Sequence, residues 1–492
     1  MLEKVTPEQA GIQSENILKM LRVFKRKKYS MHSIIMAHNG KVFFEQYWEP
    51  YNETSLNRMY STGKSFVSLA IGFLYDEGKI DLDDKIIKYF PEYMEKAPDY
   101  IKEQTLRDML KMSTSSFDVH WLGLGVKNRC EFYFTREQNR PSGTTYKYDS
   151  TGSYILGIVI ERVTGMNFID YLKEKLFKKI GVSEDICCLR TPDGHLWADS
   201  GVRCRTMDFL KVAQFATNMG MWNGEQLLSR EYMEKATSKQ VFNAGEGYSG
   251  YNKNGYGYQF FMADEDGFVF NGMGNQFAIC IPKKNFVFLC MADNQGNPSS
   301  AEVIFENVFE KIIDNLSENA IAENVQAYNE LMEECKNLKL PYVVGEMQSD
   351  FQKNVDKAVY KLNENNMKIE SFSLKFLDNN EGLFEFTDDE GIHKLPFGIG
   401  KNIFCKFPKN AMSNEVGGEE EKGYSHECAV SAAWVEEQKF FIKVQIIDKY
   451  LANLCITIGF KEEMAGIEMI ANSEYIVHKY NGFAGGKRMR IS

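Results

Sequence analysis

Arg58-Met59-Tyr60-Ser61-Thr62-Gly63-Lys64-Ser65 runs directly into Phe66, Val67, Leu69, Ala70, Ile71, Phe73 and Leu74. That apolar run predicts a helix whose first turn carries a serine and a lysine three positions apart. Residues three apart lie on one helix face, so a hydroxyl stands beside an amine. A serine hydroxyl is a weak nucleophile near neutral pH. An amine within hydrogen-bond reach, kept free of its proton by burial, takes the hydroxyl proton as the oxygen attacks a carbonyl. Ser-x-x-Lys also arises by chance in a lysine-rich chain of this length, so the reading depends on what accompanies it.

Upstream, Ile17, Leu18, Leu21 and Phe24 line one face of an amphipathic helix closed by Lys25-Arg26-Lys27-Lys28, cations that complement a helix C-terminus. Ser33 to Ala37 and Lys41 to Glu45 are strand-like and flank His38-Asn39-Gly40, where Asn-Gly signals a tight hairpin. Downstream, Asp76 to Asp84 reads as a turn, with the Ser61 helix ending before Gly78. Helical spacing returns at Leu106 to Met112, Tyr154 to Val163 and Met207 to Met219. Strand-like runs follow at Gly257 to Met262, Phe268 to Phe270, Gln276 to Ile281 and Phe286 to Met291, and Val303 to Leu316 reads as a covering helix.

Strands from both ends of this region around a helical interior predict an α+β domain over residues 1–316 with an antiparallel sheet. Residues 317–338 are polar and helix-forming and read as a connector. Residues 339–492 change character: Phe372, Leu374 and Phe376 alternate with polar residues, Asn379-Asn380-Glu381-Gly382 supplies a turn, and Phe384 and Phe386 alternate again. Further strands are expected at Phe440 to Ile447, Ala452 to Phe460 and Ile467 to Ala471, with Gly417 to Glu421 as a loop, giving a small, mostly β C-terminal domain.

Composition excludes several classes. The 492 residues are 43% hydrophobic and 26% charged, those of an ordinary globular protein. The net charge of −10 is spread along the chain, which argues against nucleic acid or an anionic membrane and for a small-molecule partner. The N-terminus lacks an apolar leader segment, and no run approaches the roughly 18 apolar residues of a membrane helix. The expectation is a soluble, cytoplasmic protein. Ten scattered cysteines and seven histidines show neither disulfide-scaffold density nor metal-ligand spacing, so no metal or cofactor is implied. The oligomeric state is left open.

Two further segments accompany Ser61. Pro141-Ser142-Gly143-Thr144-Thr145-Tyr146-Lys147-Tyr148-Asp149-Ser150 leads into a glycine-bounded helix start, and a phenol there becomes a general base if ammonium groups surround it; Tyr146 and Tyr148 also read as core aromatics at a turn. Phe270-Asn271-Gly272-Met273-Gly274-Asn275-Gln276 precedes a strand, and its glycines let a ligand approach backbone N–H groups as an oxyanion hole requires; a plain hairpin turn is the competing reading.

Together these segments resemble the serine β-lactamase and penicillin-binding protein family, in particular its class C-like branch of esterases, D-aminopeptidases and nylon-oligomer hydrolases. The resemblance covers roughly residues 5 to 315. It rests on Ser61-Thr62-Gly63-Lys64-Ser65, Asp76 to Asp84, Leu106-Arg107-Asp108-Met109-Leu110-Lys111-Met112-Ser113, and Tyr148 with Gly157 nine residues on. It implies a sandwich of antiparallel sheet and helices with a helical subdomain. It assigns Ser61 as nucleophile, Lys64 as its proton acceptor and Tyr148 as a second base serving the leaving group. Oxyanion donors would be the N–H groups of Ser61 and Met273, and Ser150, Asn271 and Gly272 would line the substrate site.

The chain departs from the family pattern twice. Ser150 stands where Tyr-x-Asn places an amide, and Phe270-Asn271-Gly272 lacks the leading cation of Lys-Thr-Gly. Those groups grip a β-lactam, so an ester or amide hydrolase is expected ahead of a true β-lactamase or D-alanyl peptidase. A relative that has drifted into binding or scaffolding is the third possibility. Pocket walls are expected from Phe117 to Cys130, including Trp121, and from Asn243 to Tyr256.

Overall fold

The computed structural model describes residues 2–115, 126–138, 140–243, 254–410, 424–473 and 477–489. The chain forms two compact units, the first through Lys339 and the second from Leu340. Trp121 and most of the two expected wall segments lie outside the described residues, as does the Gly417 to Glu421 loop.

The first unit is built on a six-stranded antiparallel sheet. Its strands are β1 (Met31–His38), β2 (Lys41–Tyr47), β3 (Phe261–Met262), β4 (Phe268–Gly272), β5 (Gln276–Ile281) and β6 (Phe286–Ala292), in the order β2-β1-β6-β5-β4-β3. The first two strands sit beside the last because β1 pairs with β6, Ile34 opposite Cys290 and Ile35 opposite Leu289. Asn39 and Gly40 both take positive φ, 51° and 73°, as the two-residue hairpin turn demands. Side chains alternate between two apolar cores. Ile35, Ala278, Val287 and Leu289 face one; Ile34, Met36, Phe277, Ile279 and Phe288 face the other. Burial on both faces explains why these strands read as continuous apolar runs.

Helix α1 (Ser14–Arg26) packs in the second core through Ile17, Leu18, Leu21 and Phe24, at the spacing expected. Helix α2 (Gly63–Asp76) lies in the first core and is buried from Gly63 through Leu74, so it shows no polar stripe. It stops at Asp76, and Gly78 follows with φ 65°. Helix α3 (Ser150–Thr164) and helix α4 (Thr206–Thr217) complete that core. Thr105 and Asp108 form a reciprocal capping box at the start of the Leu106–Leu110 helix. No described helix is long and apolar enough to cross a membrane.

Two local expectations are corrected. Only Phe261 and Met262 of the Gly257 to Met262 run form strand, because Gln259 takes φ 66° and its side chain turns inward. The covering helix starts at Ser300 and loosens after Asn307 into wider and then tighter turns reaching Asn315. Within the stretch read as a connector, Val325–Cys335 is a helix whose Glu334 accepts from Lys25 at 2.5 Å, and the Ile321 N–H bonds the Glu8 carbonyl.

The second unit is a ten-stranded sheet: β7 (Val359–Leu362), β8 (Ser371–Leu377), β9 (Glu381–Asp388), β10 (Gly391–Ile399), β11 (Ile403–Asn410), β12 (Ser425–Glu436), β13 (Lys439–Ile447), β14 (Leu451–Lys461), β15 (Met464–Ser473) and β16 (Gly482–Arg488). Its order is β10-β9-β8-β7-β16-β15-β14-β13-β12-β11, and a parallel pairing of Gly398 with Ser431 joins β10 to β12. Phe372, Phe384, Trp434 and Phe440 are buried in its core.

Candidate active site

Ser61 sits in the single tight turn Tyr60–Thr62 that leads into the N-terminus of α2. It is partly exposed, while Met59, Tyr60, Thr62, Gly63 and Lys64 around it are buried. The turn is held from several sides. Thr62 Oγ1 donates to the Met59 carbonyl at 2.9 Å, and the Arg58 guanidinium packs 4.2 Å from the Tyr60 ring and 4.5 Å from that of Trp197. Tyr60 carries φ 49°, a conformation a bulky residue adopts only where its surroundings enforce it. The residue preceding the hydroxyl is thus strained and locked.

Lys64 Nζ donates to Ser61 Oγ at 2.9 Å and to the Asp199 carbonyl at 2.9 Å. Its ammonium position is also 5.1 Å from the centre of the Tyr148 ring, which stacks on Phe261 at 6.0 Å. Ser61, Lys64 and Tyr148, read from segments far apart in the chain, therefore meet. Ser150 opens α3 and makes no hydrogen bond to Ser61 or Lys64 among the described residues. The residue between Tyr148 and Ser150 has a clear structural task. Asp149 caps α3, accepting from the Gly152 N–H at 3.1 Å and Thr114 Oγ1 at 2.8 Å, with Arg136 at 3.4 Å. Burial alone would raise its carboxyl, yet Arg136 and these hydrogen bonds hold it below the usual range.

The glycine turn of the third segment meets the turn that carries Ser61. A Cβ on Gly272 would stand 2.4 Å from the Met59 carbonyl oxygen and 3.1 Å from Thr62 Cγ2, so only glycine allows this approach. Asn271 is buried on β4 opposite Phe277, while Met273 is partly exposed and its carbonyl accepts from Gln276 Nε2 at 3.0 Å. Hairpin turn and close approach are both realised in this segment.

Two residues outside the sequence reading bind the site together. Gln259 accepts from Ser65 Oγ through its carbonyl at 2.7 Å and from Ser153 Oγ through its side chain at 2.6 Å, while its amide donates to the Met109 and Leu110 carbonyls. It ties α2 to α3. Asp199 lies behind Lys64, in the loop ahead of the Val202–Cys204 strand, at a point where Gly63 and Gly157 both press on Ala198. Burial pushes the Asp199 carboxyl above its usual value, against the pull of Lys64, Arg129 and Arg58. A Trp-Ala-Asp-Ser-Gly turn before a strand was the signal available in the sequence. Among the described residues, no group of three or more His, Cys, Asp or Glu side chains could hold a metal ion.

The family model described as Beta-lactamase matches residues 26–311, which contain all of these groups and more than half of the chain. The chain belongs to this family. A 6-aminohexanoate-dimer hydrolase of Paenarthrobacter ureafaciens is 22% identical over 219 residues, 41% of this chain and 56% of that protein. Penicillin-binding protein 4 of Amycolatopsis lactamdurans is 24% identical over 131 residues, 26% of this chain and 34% of the relative. The chain thus spans about half or less of the length of these two curated relatives. A solved structure from Bacillus anthracis, provisionally given the same hydrolase name, covers 64% of this chain and 86% of its own at 18% identity and TM-score 0.51. The likeness to that structure supports the fold of this family member.

Proposed function

We propose that the protein is a serine hydrolase that cleaves a small ester or amide through an acyl-enzyme on Ser61. The observation that carries this reading is the 2.9 Å contact of Lys64 Nζ with Ser61 Oγ beside the Tyr148 ring. As Ser61 Oγ bonds the substrate carbonyl carbon, its proton passes to Lys64. Collapse of the tetrahedral adduct breaks the bond to the leaving group, which takes up that proton by way of Lys64 or Tyr148. The oxyanion would be received by the N–H groups of Ser61, at the positive end of α2, and of Met273. Water then attacks the acyl carbon, the same bases take its proton, and Ser61 regains its hydrogen as the acid departs.

The curated relative named a 6-aminohexanoate-dimer hydrolase supports a small amide or ester as substrate. The absence of an amide at Ser150 and of a cation before Gly272 favours this over β-lactam hydrolysis. The partner is a small molecule and the compartment proposed is the cytoplasm. A Ser61→Ala protein should keep its fold by circular dichroism and lose hydrolysis of p-nitrophenyl acetate by about 10³-fold or more. Unchanged turnover would sink the reading.

A further inference from the structure

In the second unit two cysteines stand directly opposite each other on neighbouring strands. Cys405 on β11 is in register with Cys428 on β12, and their sulfurs are 3.5 Å apart. Opposite residues of antiparallel strands share a face, with Cα atoms about 4.5–5.5 Å apart, inside the span of about 4.4–6.8 Å that a disulfide bridges. Side-chain rotation is therefore enough to close the sulfurs to a bond while the ladder stays in place. Among the described residues, no other cysteine on a strand is in register with a second one.

The two thiols differ. Cys405 is partly exposed, whereas Cys428 is buried in the apolar core. The hydrogen bond from Cys428 holds the Cys405 sulfur below the usual thiol range, against burial and the charge of Glu427. That same bond, together with burial, pushes Cys428 up. An accessible sulfur that gives up its proton readily thus lies against a shielded one that keeps it, which are the requirements of an attacking and a resolving thiol.

We propose that Cys405 and Cys428 form a thiol–disulfide exchange site, closed into a cross-strand disulfide by a low-molecular-weight disulfide. Its chemistry does not depend on the hydrolase reading. The Cys405 thiolate attacks one sulfur of the small disulfide R–S–S–R, whose S–S bond breaks and releases a first thiolate. Cys428 then attacks the Cys405 sulfur of the mixed disulfide, its proton passing to the second R–S⁻ as that group leaves. The protein dithiol is oxidised with loss of two hydrogens, and R–S–S–R is reduced to two R–SH. The consequence falls on β11, which among the described residues is hydrogen-bonded to no strand but β12 and whose register slips between Lys406 and Asn410. The new bond secures that end strand and closes a span of 23 positions, restricting the unfolded chain. In the reducing cytoplasm proposed above, the pair rests as two thiols until the small-disulfide pool rises.

The test incubates the full-length protein with oxidised glutathione, removes the reagent, blocks remaining thiols with iodoacetamide in urea and maps unreduced peptides by mass spectrometry. In wild type a peptide linking Cys405 to Cys428 should dominate, and blocking of the two thiols should fall together by about 10-fold or more. Cys428→Ala should stop the exchange halfway, with glutathione retained on Cys405, and Cys405→Ser should leave Cys428 unmodified. Should a variant fail to fold, the wild-type linkage decides alone, since it needs no substitution. Both wild-type thiols remaining fully open to blocking would overturn the inference, as would glutathione retained on Cys405 beside an intact Cys428, or a link from either cysteine to a different one.

Discussion

Asp149 and Asp199 are both carboxylates buried within the first unit, and the protein treats them in opposite ways. Asp149 accepts from a backbone N–H and two threonine hydroxyls, with Arg136 beside it, and its carboxyl is held below the usual range. Asp199 has an Oδ1 without a hydrogen-bond partner, an Oδ2 3.8 Å from Lys64 Nζ, and a carboxyl pushed up by burial. A fully satisfied buried charge fixes a helix start and thereby the place of Tyr148. A buried carboxylate with an unpartnered oxygen lowers stability instead. The contrast separates scaffold from site more sharply than burial does.

The largest effect should come from breaking the satisfied carboxylate. Asp149→Ala removes the cap of α3 and takes the buried carboxylate away from Arg136, so we expect a loss of about 3–5 kcal/mol in urea unfolding. The pH dependence has a definite sign. A depressed folded-state carboxyl contributes stability above the unfolded value of about 3.9 and loses it as pH falls through the folded one. The deficit of the variant should therefore be full at neutral pH and shrink in acid. A deficit independent of pH would place the effect in the lost cap alone.

A second effect concerns how Asp199 is presented. Gly157 has no Cβ, and one built there would lie 2.4 Å from Ala198 Cβ. Gly157→Ala should cost about 1–3 kcal/mol by overpacking and should slow Ser61 labelling by shifting the loop that carries Asp199. Full stability with normal labelling would show that the loop yields freely.

The smallest effect is the most telling. An acid with a raised folded-state carboxyl is a net penalty above that value, relieved as pH falls toward the unfolded one. Asp199→Asn should thus lie within about 1 kcal/mol of wild type at neutral pH, or above it, where Asp149→Ala falls far below. Thermal melts of the two variants side by side would check the pairing, and a large loss at Asp199 would erase the contrast.

What the sequence disclosed follows chain distance. Ser61 and Lys64 share one helical turn, so their contact was legible from spacing. Asn39-Gly40 and the alternating Phe372, Leu374 and Phe384 were likewise local signals that the structure follows. Tyr148 became legible through its company and not its neighbours. Asp199 lies 135 residues from Lys64 and Gln259 lies 194 from Ser65, and no periodicity reports such contacts. Gln259 also misled the strand reading, because its apolar surroundings suggested an extended run while its own side chain was needed for three hydrogen bonds between elements. The departure at Ser150 was visible, but the reason Asp149 precedes it required the Arg136 and Thr114 contacts.

The central claim is that Ser61 is an activated nucleophile, and intact-protein mass spectrometry after incubation with a fluorophosphonate tests it most directly. Wild type should gain one adduct, mapped to Ser61 by peptide sequencing, and Ser61→Ala should gain none. An unmodified wild-type protein, or an adduct that persists in Ser61→Ala, would contradict the account.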